Sequence, residues 1–421
     1  MKTIVLDDDP TGTQSASGVT VLLESNAELL TAALAEADSV YVQTNSRAIP
    51  EADAVALVTR VRADGLAAAR RLDCEVQFVL RGDSTLRGHV FAESAVFMDE
   101  DAVLVFSPAF PAGGRTTVGG VHLVDVGGVL RPAHETEYAD DPVFGFRTGV
   151  LVDYVGEKSG RRALSVPLAD VRSGELGERL RSAAPGTVVL PDAETDADID
   201  AIARAIVSAR ATGRSVVVRS AAPLAAALAG VAGDGLLPFP LLDAPRATLL
   251  VCGSHTAGAT AQLEPVIARH GTPAVIDTGL ALADPARASE AAVTSARVAL
   301  ERTGLAVLMT ERARSGLHNT LDHGARVMSA LTGAVHALVP AADVVIAKGG
   351  ITSADVARLG IGARSALVLG QIVPGVSVWE LTAFDGHRVL YVVVPGNVGG
   401  PDTLTRLLTA VGITGAAEGQ A

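Results

Sequence analysis

Short runs of Val, Ile, Leu and Thr alternate with Ala-rich helical stretches along almost the whole chain, and this alternation does most to restrict its fold. In the first half, strands are expected at residues 3–6, 19–23, 39–43, 76–80, 102–106, 187–190 and 215–218. Helical spacing falls between them at residues 51–71, 195–210 and 221–228. The second half repeats the pattern, with strands at 248–252, 274–277, 306–309, 343–347, 365–369 and 388–393 and helices at 257–270, 286–302, 323–336 and 352–359. Near-continuous aliphatic strands separated by helices imply parallel sheets covered on both faces. The class is α/β.

One sheet holding all of these strands would be unusually wide. At roughly 100–200 residues per domain, 421 residues fit two domains better than one. Gly and Pro crowd together at 230–246 before a fresh strand begins, which marks a seam. The expected domains are therefore 1–235 and 246–421, each a mostly parallel sheet flanked by helices, with the active site in the cleft between them. Residues 126–149, rich in Gly, Pro and charge, read as an irregular excursion near the active face of the first domain.

Composition removes several classes of function. Hydrophobic residues at 48% against 19% charged supply real cores and exclude disorder. Aromatics at 3% argue against gripping single strands or glycans by stacking. A net charge of −13 has the wrong sign for a duplex-binding footprint, so nucleic acid is not an expected partner. The mean hydropathy of +0.35 comes largely from Ala and Val. No apolar stretch approaches the ~18 residues of a membrane span. Asp7-Asp8-Asp9 interrupts any signal-peptide core, so a cytoplasmic protein without membrane attachment is expected. Cys74 and Cys252 are too few for a zinc cluster and read as buried thiols.

In open α/β sheets the chemistry collects beyond the carboxyl ends of strands. The first strand empties into Asp7-Asp8-Asp9-Pro10-Thr11-Gly12-Thr13, where a carboxylate can accept a hydroxyl proton or help hold a metal ion. Three neighbouring strands end in segments that set Arg47, Arg81, Arg87 and Arg115 among Ser, Thr, Asn and Asp. Guanidinium forks match carboxylate or phosphate bidentately, so the first domain reads as a holder of a small hydroxylated anion. The second domain carries three glycine turns instead: Gly253-Ser254-His255-Thr256, Lys348-Gly349-Gly350-Ile351-Thr352 and Gly396-Asn397-Val398-Gly399. Small residues and hydroxyls opening helices offer backbone N–H groups to phosphates, which points to a nucleotide.

Familiar alternatives lack their fingerprints. There is no Gly-Lys of a Walker A loop, no GxSxG elbow, no zinc-protease His pair and no GxGxxG after a strand. Two other readings stay open at this point. One is a non-catalytic sugar-acid sensor, the other a dinucleotide-dependent oxidoreductase on the same glycine turns.

These segments, in order and over nearly the whole chain, resemble the four-carbon acid sugar kinases. Asp8-Asp9-Pro10-Thr11-Gly12 is similar to their DD-x-TG turn, with Pro10 and Thr13 as departures. Asp83-Ser84-Thr85-Leu86-Arg87-Gly88 matches their most specific signature, with Arg81 where Lys is common. Pro108-Ala109-Phe110-Pro111, Gly114-Arg115-Thr116-Thr117 and the three glycine turns also match, with Ile351 where Asp is frequent. The resemblance implies an N-terminal domain for the sugar acid, a C-terminal domain for ATP with Mg²⁺, and transfer of the γ-phosphate to a terminal hydroxyl of threonate, erythronate or an oxo-tetronate. It implies that Asp8, Arg47, Arg81, Gly82, Asp83 and Ser84 bind the sugar acid, and that Arg87 and Arg115 join them. It likewise implies that Ser254, Thr256, Gly349, Gly350, Ile351, Thr352, Gly396 and Asn397 bind ATP. Asp8 or Asp9 is the expected general base, with Asp83 in reserve; no resident metal is expected in the protein itself. A homodimer is a fair expectation for such an enzyme.

Overall fold

The aliphatic runs do become strands, and six of these are buried along their whole length. A computed structural model of the chain describes residues 1–233, 235–312, 321–396 and 398–414. It divides into two compact units, Met1–Gly233 and Asp234–Ala421.

The first unit contains β1 (Lys2–Asp7), β2 (Val19–Leu22), β3 (Ser39–Gln43), β4 (Val76–Arg81), β5 (Val103–Ser107), β6 (Arg115–Val118), β7 (Val121–Val126), β8 (Val129–Pro132), β9 (Ala163–Val166), β10 (Val188–Pro191) and β11 (Val216–Ser220). Its main strands lie in the order β2-β3-β1-β4-β11-β5-β10-β9, every pair parallel. Ile4, Leu6, Leu80, Leu104 and Leu190 face one core, where Val58 and Val61 of the helix Glu51–Arg71 meet them. Alternate residues such as Val5, Val79 and Val105 are equally buried on the other face. Helices cover both sides, as continuous aliphatic strands require.

The excursion is more ordered than its composition suggests. β6, β7 and β8 form a separate antiparallel ribbon, followed by a short helical turn at Ala133–Glu135. Paired glycines at 119–120 and 127–128 take positive φ at the two tight bends. Of this, β8 and the turn at Ala133–Glu135 fall inside residues 126–149, which read as irregular chain because hairpin turns and loops share the same composition; β6 and all but the last residue of β7 precede that stretch.

The second unit contains β12 (Thr248–Cys252), β13 (Ala274–Ile276), β14 (Leu305–Thr310), β15 (Val344–Lys348), β16 (Ser365–Val373), β17 (Val376–Thr382) and β18 (Arg388–Val394). Their order is β13-β14-β12-β15-β18-β17-β16. The first five are parallel, but β17 runs antiparallel to both β18 and β16. Only Pro374 and Gly375 separate β16 from β17. Two residues cannot make a crossover, so the pair must be a hairpin. Among the described residues no helix is long and apolar enough to cross a membrane.

Candidate active site

β1 sits between β3 and β4, so its acidic end is delivered beside the polar ends of both neighbours. Thr44 fixes the exit from β1, donating through its N–H (2.8 Å) and its hydroxyl (2.9 Å) to the Asp7 carbonyl. Asp9 caps the helical turn Pro10–Ser15 by accepting from the Thr11 N–H at 2.8 Å. Gly12 closes this turn directly over Asp7: a Cβ there would stand 2.1 Å from Asp7 Oδ1. The three carboxylates thereby take up three different environments.

An inner layer is almost wholly buried. Asp7, Asp8, Arg81, Arg219 and Glu93 are each at most 3% exposed. Arg81 Nη1 donates to Asp7 Oδ1 at 3.0 Å and lies 3.6 Å from Asp8 Oδ1. Arg219 Nη2 donates to Asp8 Oδ2 at 2.7 Å, while its Nη1 donates to Glu93 Oε2. Asp7 Oδ2 and Asp8 Oδ1 accept no hydrogen bond among the described residues. Burial pushes the Asp7 carboxyl up to about 7 despite Arg81. Burial also raises Asp8, against the pull of Arg219, Arg47 and Arg81.

An outer layer remains reachable. Arg47 donates to Asp9 and lies 3.4 Å from Asp83. Arg87 Nε donates to Asp83 Oδ2 at 2.8 Å, and its guanidinium rests over the Tyr138 ring. Asp141, from the excursion, approaches Arg87 at 3.7 Å. The Arg47 and Arg87 side chains keep 19% and 24% exposure, which makes them the accessible cations of the cluster. For Asp9, burial is outweighed by Arg47 and Arg81, which hold its carboxyl below the usual range. For Asp83, burial is likewise outweighed by Arg87 and Arg47.

The loop carrying Gly82, Asp83 and Ser84 is braced from two sides. The Gly82 N–H donates to the Ser220 carbonyl at 2.8 Å. Burial pushes the His122 imidazole down to about 4, so it stays neutral near pH 7. Its Nε2 meets the Ser84 carbonyl at 2.8 Å and must donate there, leaving Nδ1 to accept from Thr117 Oγ1 at 3.0 Å. Arg115 is not drawn into the cluster: it donates to the Gly113 carbonyl and makes no ion pair among the described residues.

In the second unit β12, β15 and β18 are parallel neighbours, so their carboxyl-terminal turns converge. Thr256 Oγ1 accepts from the Ala259 N–H at 3.2 Å, capping the helix Ala257–His270, and donates to the Gly396 carbonyl at 3.1 Å. Ser254 Oγ stands 3.3 Å from Thr256 Oγ1. Gly349 has φ +115°, and a Cβ on it would come within 3.0 Å of Ser254 Cβ and 3.1 Å of Thr352 Oγ1. The turn through Gly349, Gly350 and Thr352 thus packs against Ser254 with no room for a side chain, as a cradle for phosphate requires. Ile351 points outward, more than half exposed, and offers the turn only its backbone. Asn397 lies outside the described residues.

Four further residues join the two sites, and of these only Lys348 was named from the sequence, as the head of its glycine turn. Lys348 is completely buried and donates to the carbonyls of Pro395 (2.7 Å) and Val398 (3.3 Å), pinning the last glycine turn. Burial pushes its ammonium down to about 8. Arg312, just past β14, donates to the Ser254 carbonyl and to Thr260 Oγ1. Arg219 and Glu93 complete the inner layer of the first unit. An Arg-Ser pair at the end of an apolar strand was the one available signal for Arg219. Glu93 gave none.

Comparison with known proteins gives a consistent result. Residues 3–228 match a family model described as a sugar-binding N-terminal domain, and residues 249–404 one described as a nucleotide-binding C-terminal domain. A D-threonate kinase of Bordetella bronchiseptica is 32% identical over 391 residues, which is 90% of this chain and 87% of that protein. A D-erythronate kinase of Heliobacterium modesticaldum is 32% identical over 260 residues, 60% of this chain and 56% of the other. A crystal structure of a Haemophilus influenzae protein shares the fold, with a TM-score of 0.63 at 19% identity over 97% of this chain and 100% of that one.

Proposed function

This chain belongs to the four-carbon acid sugar kinase family and is a phosphotransferase acting on an alcohol group, and on that premise we propose that it moves the γ-phosphate of ATP to the terminal hydroxyl of D-threonate, D-erythronate or an oxo relative. The observation that carries this reading is the outer layer of the first unit. Arg47 and Arg87 are accessible cations held apart by Asp83, a spacing suited to an acid that also bears hydroxyls. The inner layer adds a buried carboxylate with an oxygen that accepts no hydrogen bond among the described residues, and the second unit adds three glycine turns, two of them bearing hydroxyls.

Phosphoryl transfer leaves the protein mainly the work of alignment and charge neutralisation. Arg47 and Arg87 hold the substrate carboxylate, and Asp83 and Ser84 receive its hydroxyls. Asp8 is the better choice than Asp9 or Asp83 for the general base. The latter two are held as weak bases by paired arginines, whereas Asp8 has Oδ1 free of hydrogen bonds and a carboxyl raised by burial. Ser254, Thr256, Thr352, Gly396 and the backbone of residues 349–352 would hold the nucleotide phosphates. Mg²⁺ arriving with ATP supplies neutralisation of phosphoryl charge. The sensor and dinucleotide readings have no support from the kinases matched over this chain.

The test is ADP release from Mg-ATP with each four-carbon sugar acid in turn. Turnover with one stereoisomer is expected, together with a loss of about 100-fold or more in kcat for Asp8→Asn. Silence across the panel by a chain that still binds ATP would refute the substrate class.

A further inference from the structure

Arg219 and Glu93 stand behind the proposed base and touch no accessible surface. Arg219 leaves the carboxyl end of β11, which the topology inserts between β4 and β5. Glu93 projects from the helix Val90–Ala95. The guanidinium bridges two carboxylates through its two terminal nitrogens: Nη2 to Asp8 Oδ2 at 2.7 Å, Nη1 to Glu93 Oε2. All three side chains are 2% exposed. Two acids and one cation taken out of water stabilise a fold less than an apolar trio of the same volume would. Stability alone is therefore a poor reason for their presence.

We propose that Arg219 and Glu93 are positioning residues for the phosphoryl transfer: the pair clamps Asp8 by Oδ2 and leaves Oδ1 as the oxygen that receives the substrate proton. The proposal rests on Asp8 as the general base. It also has an electrostatic side, because one guanidinium charge is divided between two carboxylates. The groups facing Asp8 are Arg219 from β11, Glu93 from its helix, Arg81 from β4 and Arg47 from the turn after β3, with Asp7 and Asp9 adjoining in the chain. Removing Arg219 withdraws a cation from Asp8 and makes it a weaker acid. Removing Glu93 withdraws a competing anion and makes Asp8 a stronger acid.

A general base must be ionised to work, so the acid limb of the kcat–pH profile reads Asp8 directly. The profile is measured with Mg-ATP and the accepted sugar acid for the wild type, Asp8→Asn, Arg219→Met, Arg219→Lys and Glu93→Gln. Arg219→Met is expected to move the limb to higher pH by about 1 unit or more, and Glu93→Gln to move it to lower pH. Arg219→Lys, which keeps the charge, should return the limb most of the way to the wild-type position. KM for ATP should stay constant throughout. A scaffold role would lower activity in both variants without moving their limbs in opposite directions. Unmoved limbs, or limbs moved the same way, overturn the proposal while the kinase reading stands, provided Asp8→Asn has lost turnover. Asp8→Asn retaining turnover within about tenfold overturns the base assignment and this proposal with it. If Arg219→Met does not fold, the isosteric Glu93→Gln decides alone, and an unmoved limb refutes the clamp.

Discussion

The most quantitative consequence of the acidic turn concerns Asp7, the carboxylate that Gly12 closes over. In the folded chain its carboxyl keeps a proton up to about pH 7, whereas the ordinary value is 3.8. Between those values the folded state binds one proton more than the unfolded state, so this residue's contribution to stability falls as pH rises. It is fully present below about pH 3.8 and lost by the time Asp7 ionises near 7. The side chain is 0% exposed, so solvent screening does not reduce the effect. An interval of about 3 pH units, at about 1.36 kcal/mol each, comes to about 4 kcal/mol. Asp7→Asn removes the titration while keeping the shape. Urea unfolding of both proteins, followed by circular dichroism from pH 4.5 to 8, cancels the groups that do not face Asp7 and leaves its own titration together with its coupling to Asp8, Asp9 and Arg81. The wild type should lose about 3 kcal/mol relative to the variant across that range. Parallel stability profiles would show that Asp7 ionises normally, and the buried inner layer would be wrong.

Three further substitutions probe the two sites separately. Gly12→Ala forces a methyl to within 2.1 Å of Asp7 Oδ1 and should lower stability by about 1–3 kcal/mol, read from the urea midpoint. Gly349→Ala fills the space beside Ser254 and Thr352 from a backbone at φ +115°. Calorimetric titration should show ATP affinity reduced about tenfold or more, with sugar-acid affinity unchanged. Lys348→Met leaves the Pro395 carbonyl without its buried donor, while the Val398 carbonyl keeps Gln262 Nε2 at 3.0 Å; at about 1–3 kcal/mol for the one unpaired group, both the melting temperature and ATP binding should fall.

Much of the fold was legible because its strands are aliphatic throughout and its helices are Ala-rich. The class, and strands such as β1, β4, β12 and β15, follow from that contrast alone. β17 was not, since its Ser377, Trp379 and Glu380 dilute the aliphatic signal and Pro374-Gly375 looks like any loop. The same ambiguity hid the ribbon of β6 to β8. In the site, Arg47, Arg81, Asp83 and Arg87 were visible because each stands in a polar segment just past an apolar run. Asp7 was read only as one of three acids in the turn after the first strand, since nothing local sets it apart from Asp8 and Asp9, though it ends β1 and is completely buried. Glu93 and Arg219 could not be found by spacing. Their partnership exists only because the sheet brings β11 next to β4, and strand order is a property of three-dimensional packing rather than of any local window.

That strand order also bears on how the protein comes to be folded. β11 is the last strand of the first unit to leave the ribosome, yet it occupies the middle of the sheet, between β4 and β5. Arg219 meets Asp8 across 211 residues of chain. Until that strand arrives, β4 and β5 have no ladder between them, and Asp8 and Glu93 lack the cation that makes their burial tolerable. Synthesis up to residue 215 therefore yields a nascent chain with an open seam rather than a finished partial domain. Loop closure of this length is slow, and the exposed strand edges in the meantime invite chaperone contact or aggregation. The residues that complete the acidic cluster are the same ones that close the sheet, so a chain truncated before β11 loses its chemistry and its cooperativity together.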